Sequence, residues 1–170
     1  TTTSPDVDLK SPDETQSYKL TILHTNDLHG SAVPFGMHNM GGLARIAWLY
    51  DRIRSINQKK GANTLLLDAG DVRDGTTFND GTRAAGMWNV MNMIGYDATA
   101  IGNHDHLFGI QSLYWDMNSA FGENLYSDPL GNTVSKQHMK ILWGNIDPAR
   151  INNCSSVYVP LSEVVKKSIE

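Results

Sequence analysis

Histidine, asparagine and aspartate crowd into six residues of the stretch TILHTNDLHG, where His24, Asn26, Asp27 and His29 follow a short apolar run. Two similar clusters come later: DAGDVRDG (68–75) with Asp71 and Asp74, and GNHDH (102–106) with Asn103, His104 and His106. Oxygen and nitrogen donors in this mixture suit Mn, Fe or Zn better than a soft thiolate site would. A pair of ions roughly 3.5–4 Å apart needs a shared ligand, and a carboxylate such as Asp71 can serve both. The Asn103 carbonyl would add a ligand without cancelling metal charge. Such a centre lowers the pKa of a bound water and neutralises phosphate oxygens. A histidine beside the metals but not bound to them could protonate a leaving group, and His104 is placed for that.

Chemistry of this kind needs the three clusters in one place, and the pattern between them supplies it. Residues 19–25, 64–69, 97–101 and 139–146 are short apolar runs that suit strands buried on both faces. Between them, Leu43, Ile46, Leu49, Tyr50, Ile53 and Ile56 repeat at helical spacing. So do Met87, Val90, Met91 and Ile94, and Ile110, Leu113, Tyr114 and Met117. Gly41-Gly42 opens the first helix and Gly95 closes the second. Alternating strands and helices imply an α/β fold with a largely parallel sheet. The steps from Asp27 to Asp71 (44 residues) and from Asp71 to Asn103 (32 residues) each fit one helical crossover. All three clusters then follow carboxyl ends of strands, the edge where open α/β sheets bind ligands.

Composition narrows the choice. The chain has 170 residues, 40% hydrophobic and 19% charged, enough for one domain with a sizeable core. A net charge of −4 argues against a nucleic-acid polymer or an anionic membrane as partner. No apolar run is long enough to span a membrane. Cys154 is the only cysteine, so no intramolecular disulfide forms and the redox compartment stays open. Residues 1–17 are polar, contain two prolines and read as a flexible leader. A start at Thr1 is what a processed chain would show, as expected for a periplasmic or extracellular protein whose signal peptide is removed.

The motifs ILHTNDLHG, GDVRDGT and GNHD resemble the first three motifs of the calcineurin-like metallophosphoesterases. The first motif and GGLAR (41–45) are most similar to the 5′-nucleotidase branch, which includes 2′,3′-cyclic phosphodiesterases. The resemblance runs over about residues 19–147 and implies a four-layer α/β/β/α sandwich around two divalent metals. It implies that Asp27 and His29 bind the first ion, Asp71 bridges, Asn103 binds the second, and His104 contacts the scissile phosphate. Nucleotides or related small phosphoesters would be the substrates. The resemblance also stops short. The branch completes its site with a Gly-His pair and a Gly-His-x-His motif, yet beyond His106 the only histidine is His138. Residues 18–170 therefore read as the N-terminal portion of a catalytic domain, to be completed by further chain or by a second chain. The alternative is a non-catalytic binding or antigenic module on the same fold.

Several residues carry open alternatives. Where the branch orients its catalytic histidine with an aspartate three residues on, this chain has Leu107. Asp74, three residues after Asp71, matches the histidine-orienting position of the superfamily's protein phosphatases. It is expected to partner His104 at roughly 2.6–3.2 Å; the alternatives are a turn cap at Gly75, or Asp105 or water in its place. His106 is a candidate for substrate contact, and Arg45 and Arg73 for phosphate attraction or simple solvation. His24 is expected to be a hydrogen-bonded structural residue and His138 a surface one. Met87, Trp88, Met91 and Met93 are expected in the core, and Asp51 with Arg54 as a solvated pair.

Overall fold

The computed structural model describes residues 17–121 and 139–143. Four parallel strands form one sheet in the order β1 (Lys19–Thr25), β2 (Ala62–Asp68), β3 (Ala98–Ala100), β4 (Lys140–Leu142). The crossovers are α1 (Leu43–Gln58), α2 (Thr77–Ile94) and α3 (Ile110–Phe121). Each expected strand and helix is present. The third strand is shorter than its apolar run because Asp97 turns its carboxylate onto the Leu66 amide at 2.9 Å. The fourth ends at Leu142, and residues 144–146 of its run lie outside the described residues, as do 1–16, His138 and Cys154.

Sequential strand order with crossovers of one hand puts successive helices on the same side of a sheet. Here α1 packs on β2, α2 touches α1, and α3 packs on α2. The helix-side face of the sheet carries Thr64, Leu66, Asp68, Thr99 and Ile141, all buried. Asn57 of α1 bonds Thr21 and Thr64 across it, each at 2.9 Å. Val72, Met87, Trp88, Met91, Leu113 and Met117 complete the core between the helices and the sheet. Met93 falls on the other side of α2 and is exposed, unlike its three expected companions.

The opposite face of β1 is open, which corrects the expectation of a strand buried twice over. Leu20 and Ile22 are each 54% exposed. His24 lies on that same face, exposed and with no hydrogen bond to a described residue, so it is not the structural histidine expected. The alternation of β1 is that of an edge strand with one covered side. Asp51 and Arg54 form the expected exposed pair at 3.4 Å.

An open apolar face predicts self-association of the isolated chain. Light scattering should show dimers or larger species, and Leu20→Lys with Ile22→Lys should shift the chain towards monomer. Because both side chains are half in water already, the double variant should leave the melting temperature nearly unchanged.

Candidate metal centre

The first two loops are zipped together beyond the ends of their strands. The amides of Asp27, His29 and Gly30 donate to the carbonyls of Gly70, Asp71 and Val72 at 3.0–3.1 Å. Pairing continues although the backbone has left the extended region. Asp27, His29, Asp71 and Asp74 have φ of 52°, 42°, 55° and 81°. They are four of the six non-glycine residues with positive φ among the described residues. Asp and His tolerate this left-handed region better than bulkier residues, at a cost of order 1–3 kcal/mol each when strained. Such a concentration marks a site whose surroundings hold it in place.

The third loop is joined to the second by Asp105. Its Oδ1 accepts the amides of Val72 (3.0 Å) and Arg73 (2.9 Å). Its Oδ2 accepts those of Asp71 (3.0 Å) and Gly102 (2.8 Å). The side chain is completely buried, and burial pushes its carboxyl pKa above the ordinary 3.8 while the four amides pull it back. The two loops approach so closely that a Cβ on Gly102 would collide with the Asp71 carboxylate. In that contact Asp71 Oδ1 accepts the His104 amide at 2.7 Å.

A second buried carboxylate supports the rim from below. Asp68 accepts from Thr25 Oγ1 (2.6 Å), Thr99 Oγ1 (2.8 Å) and the Gly70 amide (2.9 Å). Burial raises its pKa, and burial lifts the neighbouring Tyr96 hydroxyl, 3.0 Å from Thr25, to about 12.

These supports bring His29, Asp71 and His104 together, with ligand atoms all within 4.8 Å of one another. The rings of His29 and His104 meet edge to face at 4.7 Å. His29 Nδ1 faces the Arg73 carbonyl at 3.2 Å. A carbonyl can only accept, so Nδ1–H donates the hydrogen bond and the Nε2 lone pair is left for a cation. Asp27 joins from one side, 3.6 Å from His29 Nε2, and its other oxygen accepts from Asn26. The His29 nitrogen with the Asp27 and Asp71 carboxylates is a donor set that fits a divalent transition ion, and His104 stands beside it. Asn103 is exposed on the turn beside His104 and bonds no described residue.

His104 Nδ1 and Asp74 Oδ2 are 3.4 Å apart, longer than the expected contact. Asp74 divides its oxygens between two tasks, since Oδ1 accepts the Gly75 amide at 2.8 Å. The amide first and His104 second hold the Asp74 pKa below its ordinary value. Asp105 does not serve His104, being committed to four amides. His106 donates from Nδ1 to the Gly102 carbonyl (2.9 Å) and its ring stands tilted beside Trp143 at 5.8 Å, a brace for the loop. Arg73 is buried against Asp116 at 3.0 Å, not turned to the rim. Arg45 bonds the carbonyls of Asn39 and Gly41 and ties down the loop ahead of α1. The roles of Asp68 and Asp116 were hidden in the sequence because each depends on partners 31 to 43 residues away.

A parallel α/β sheet with its polar clusters on one carboxyl edge places the chain in a family. It belongs to the calcineurin-like phosphoesterases, whose pattern covers residues 20–161. A 5′-nucleotidase of Vibrio cholerae is 33% identical over 154 residues, covering 81% of this chain and 27% of that protein. Protein UshA of Escherichia coli is 41% identical over 130 residues, 73% of this chain and 23% of that one. Among solved structures, a 5′-nucleotidase precursor from Thermus thermophilus superposes with a TM-score of 0.60 at 28% identity, over 81% of this chain and 24% of that one. The chain spans about a quarter of the length of the curated relatives it matches. No described helix is long and apolar enough to cross a membrane.

Asp105→Asn should be costly. Its amide group would face two of the four donors with N–H groups of its own, leaving them buried and unbonded. A loss of at least about 2 kcal/mol in urea unfolding is expected. The carboxyls of Asp68 and Asp105 hold protons to higher pH when folded than when unfolded. Their contribution is full below 3.8 and declines as pH rises through the folded values. Urea midpoints measured across that range should show a component of stability falling with pH that is reduced in the Asp105→Asn variant.

Proposed function

We propose that this chain carries the first part of a metal-dependent phosphoester hydrolase acting on nucleotides or related small phosphoesters. The convergence of His29, Asp71 and His104 on one rim supports this reading most directly. The names of the relatives, 5′-nucleotidase among them, favour a nucleotide substrate. In this reading Asp27 and His29 hold one divalent ion, Asp71 is shared, and Asn103 contributes to a second. Ions of the Zn, Mn or Fe class supply positive charge to phosphate oxygens and acidify a water. The ligands still wanting come from further chain or a second chain, which would also cover the open face of β1. A periplasmic or extracellular location accords with the Thermus thermophilus relative being termed a precursor.

His104 is the proton donor to the departing alkoxide. With Nδ1 directed to Asp74, its Nε2 is the atom that faces substrate. Asp74 fixes the ring and takes the place of the carboxylate that Leu107 lacks. Asn103 and His106 flank that position on the same turn. A non-catalytic binding module on the same fold is the competing reading.

Phosphate release from a panel of nucleotides by the full-length gene product distinguishes the two. Activity lost to a chelator and restored by Mn or Zn is expected, with the 170-residue chain alone far slower and binding metal weakly. Chelator-insensitive turnover would remove the metal dependence, and no turnover with any phosphoester would remove the hydrolase reading. Asp74→Asn in the same protein should lower kcat about tenfold or more and alter the pH–rate profile. Unchanged kcat and profile would sink the dyad.

A further inference from the structure

The Arg73 carbonyl faces the His29 ring, and Arg73 is itself fixed from three directions. Its amide donates to Asp105. Its guanidinium pairs with Asp116 Oδ2 and donates to Ser112 Oγ, each at 3.0 Å. The guanidinium also lies over the Phe108 ring at 4.5 Å. Asp116 is 2% exposed and stands on α3, away from the rim. Its second oxygen pairs at 2.6 Å with Arg83, which stands at a kink of α2 with φ of 57°. Arg83 also bonds Ser112 through both the hydroxyl and the carbonyl. One buried carboxylate thus joins α2, α3 and the second loop.

We infer that Asp116 is a positioning residue for His29: it anchors Arg73 so that the Arg73 carbonyl holds the His29 ring with Nε2 towards the cation. This rests on the reading of His29 as a metal ligand. The physical reason lies in the backbone. A left-handed loop residue such as Asp71 or Asp74 leaves the peptides of Val72 and Arg73 few ways to relax. Once Asp116 is neutralised, Arg73 retains a buried charge with no counter-ion and is driven towards water. Moving the side chain turns its peptide, and the carbonyl leaves Nδ1. Arg83 cannot substitute, because it pairs with the same carboxylate. Groups that orient ligating histidines in this way commonly change metal affinity by roughly 10–100-fold when removed.

The test compares Mn and Zn binding by calorimetry in the full-length protein with Asp116→Asn, Ser112→Ala, His29→Ala and Ile94→Ala. Ile94 packs on the core at the far end of α2 and controls for lost stability. Asp116→Asn should weaken binding roughly tenfold or more, Ser112→Ala less, and Ile94→Ala not at all. Nitrogen NMR of the metal-free protein should show the His29 Nδ1–H tautomer in the parent and a tautomer mixture in Asp116→Asn. Should Asp116→Asn fail to fold, Ser112→Ala carries the same two readouts. If His29→Ala weakens binding while Asp116→Asn and Ser112→Ala match the parent in affinity and tautomer, the inference fails alone. An equal loss in Ile94→Ala also overturns it. If His29→Ala binds like the parent, the ligand reading fails and the inference with it.

Discussion

Four backbone amides on one buried carboxylate hold the rim together. Asp105 accepts from Gly102 on its own loop and from Asp71, Val72 and Arg73 on the neighbouring one. Charge-assisted bonds of this kind are about twice as strong as neutral ones. Here they also meet a need, because three successive amides in a left-handed turn have no sheet partner. Without Asp105 the second loop would have to find water for those groups inside the core. The placing of Asp71 and of the backbone that runs from it to the Arg73 amide follows from this one carboxylate.

Much of the fold could be read from the chain. Short apolar runs gave β1 its full extent, Lys19–Thr25, and helical spacing located α1 and α3 closely. Which faces would be covered was harder to see. Leu20 and Ile22 look like core residues in any single-strand pattern, and only the one-sided arrangement of the described helices leaves them half exposed. Met93 misled for a different reason: it stands two residues beyond Met91 on the same stretch of helix, which turns it about 200° away from the buried face of Met87, Trp88 and Met91.

The site was legible in its parts and not in its pairings. Clusters after strands identified Asp27, His29, Asp71, Asn103 and His104 as neighbours. Their local spacing said nothing of Asp105 as a loop clamp or of Arg73 turning inward to Asp116. Such pairings depend on depth and direction across two or more elements, which periodicity does not encode. Asp74 was singled out by the resemblance to the superfamily's protein phosphatases and not by spacing, and its carboxylate stands 3.4 Å from His104 Nδ1.

The left-handed backbone at Asp27, His29, Asp71 and Asp74 has an evolutionary side. At these positions heredity must satisfy two demands, a donor atom for the chemistry and a residue that accepts the turn. Glycine meets the second without the first, and asparagine offers only an uncharged oxygen. A lineage can therefore drift out of catalysis while its architecture survives, retaining the outline of the rim as a surface for recognition. Glutamate meets the first demand and fails the second, so charge alone does not find the way back. Descent from enzyme to binder is the easier direction on this scaffold.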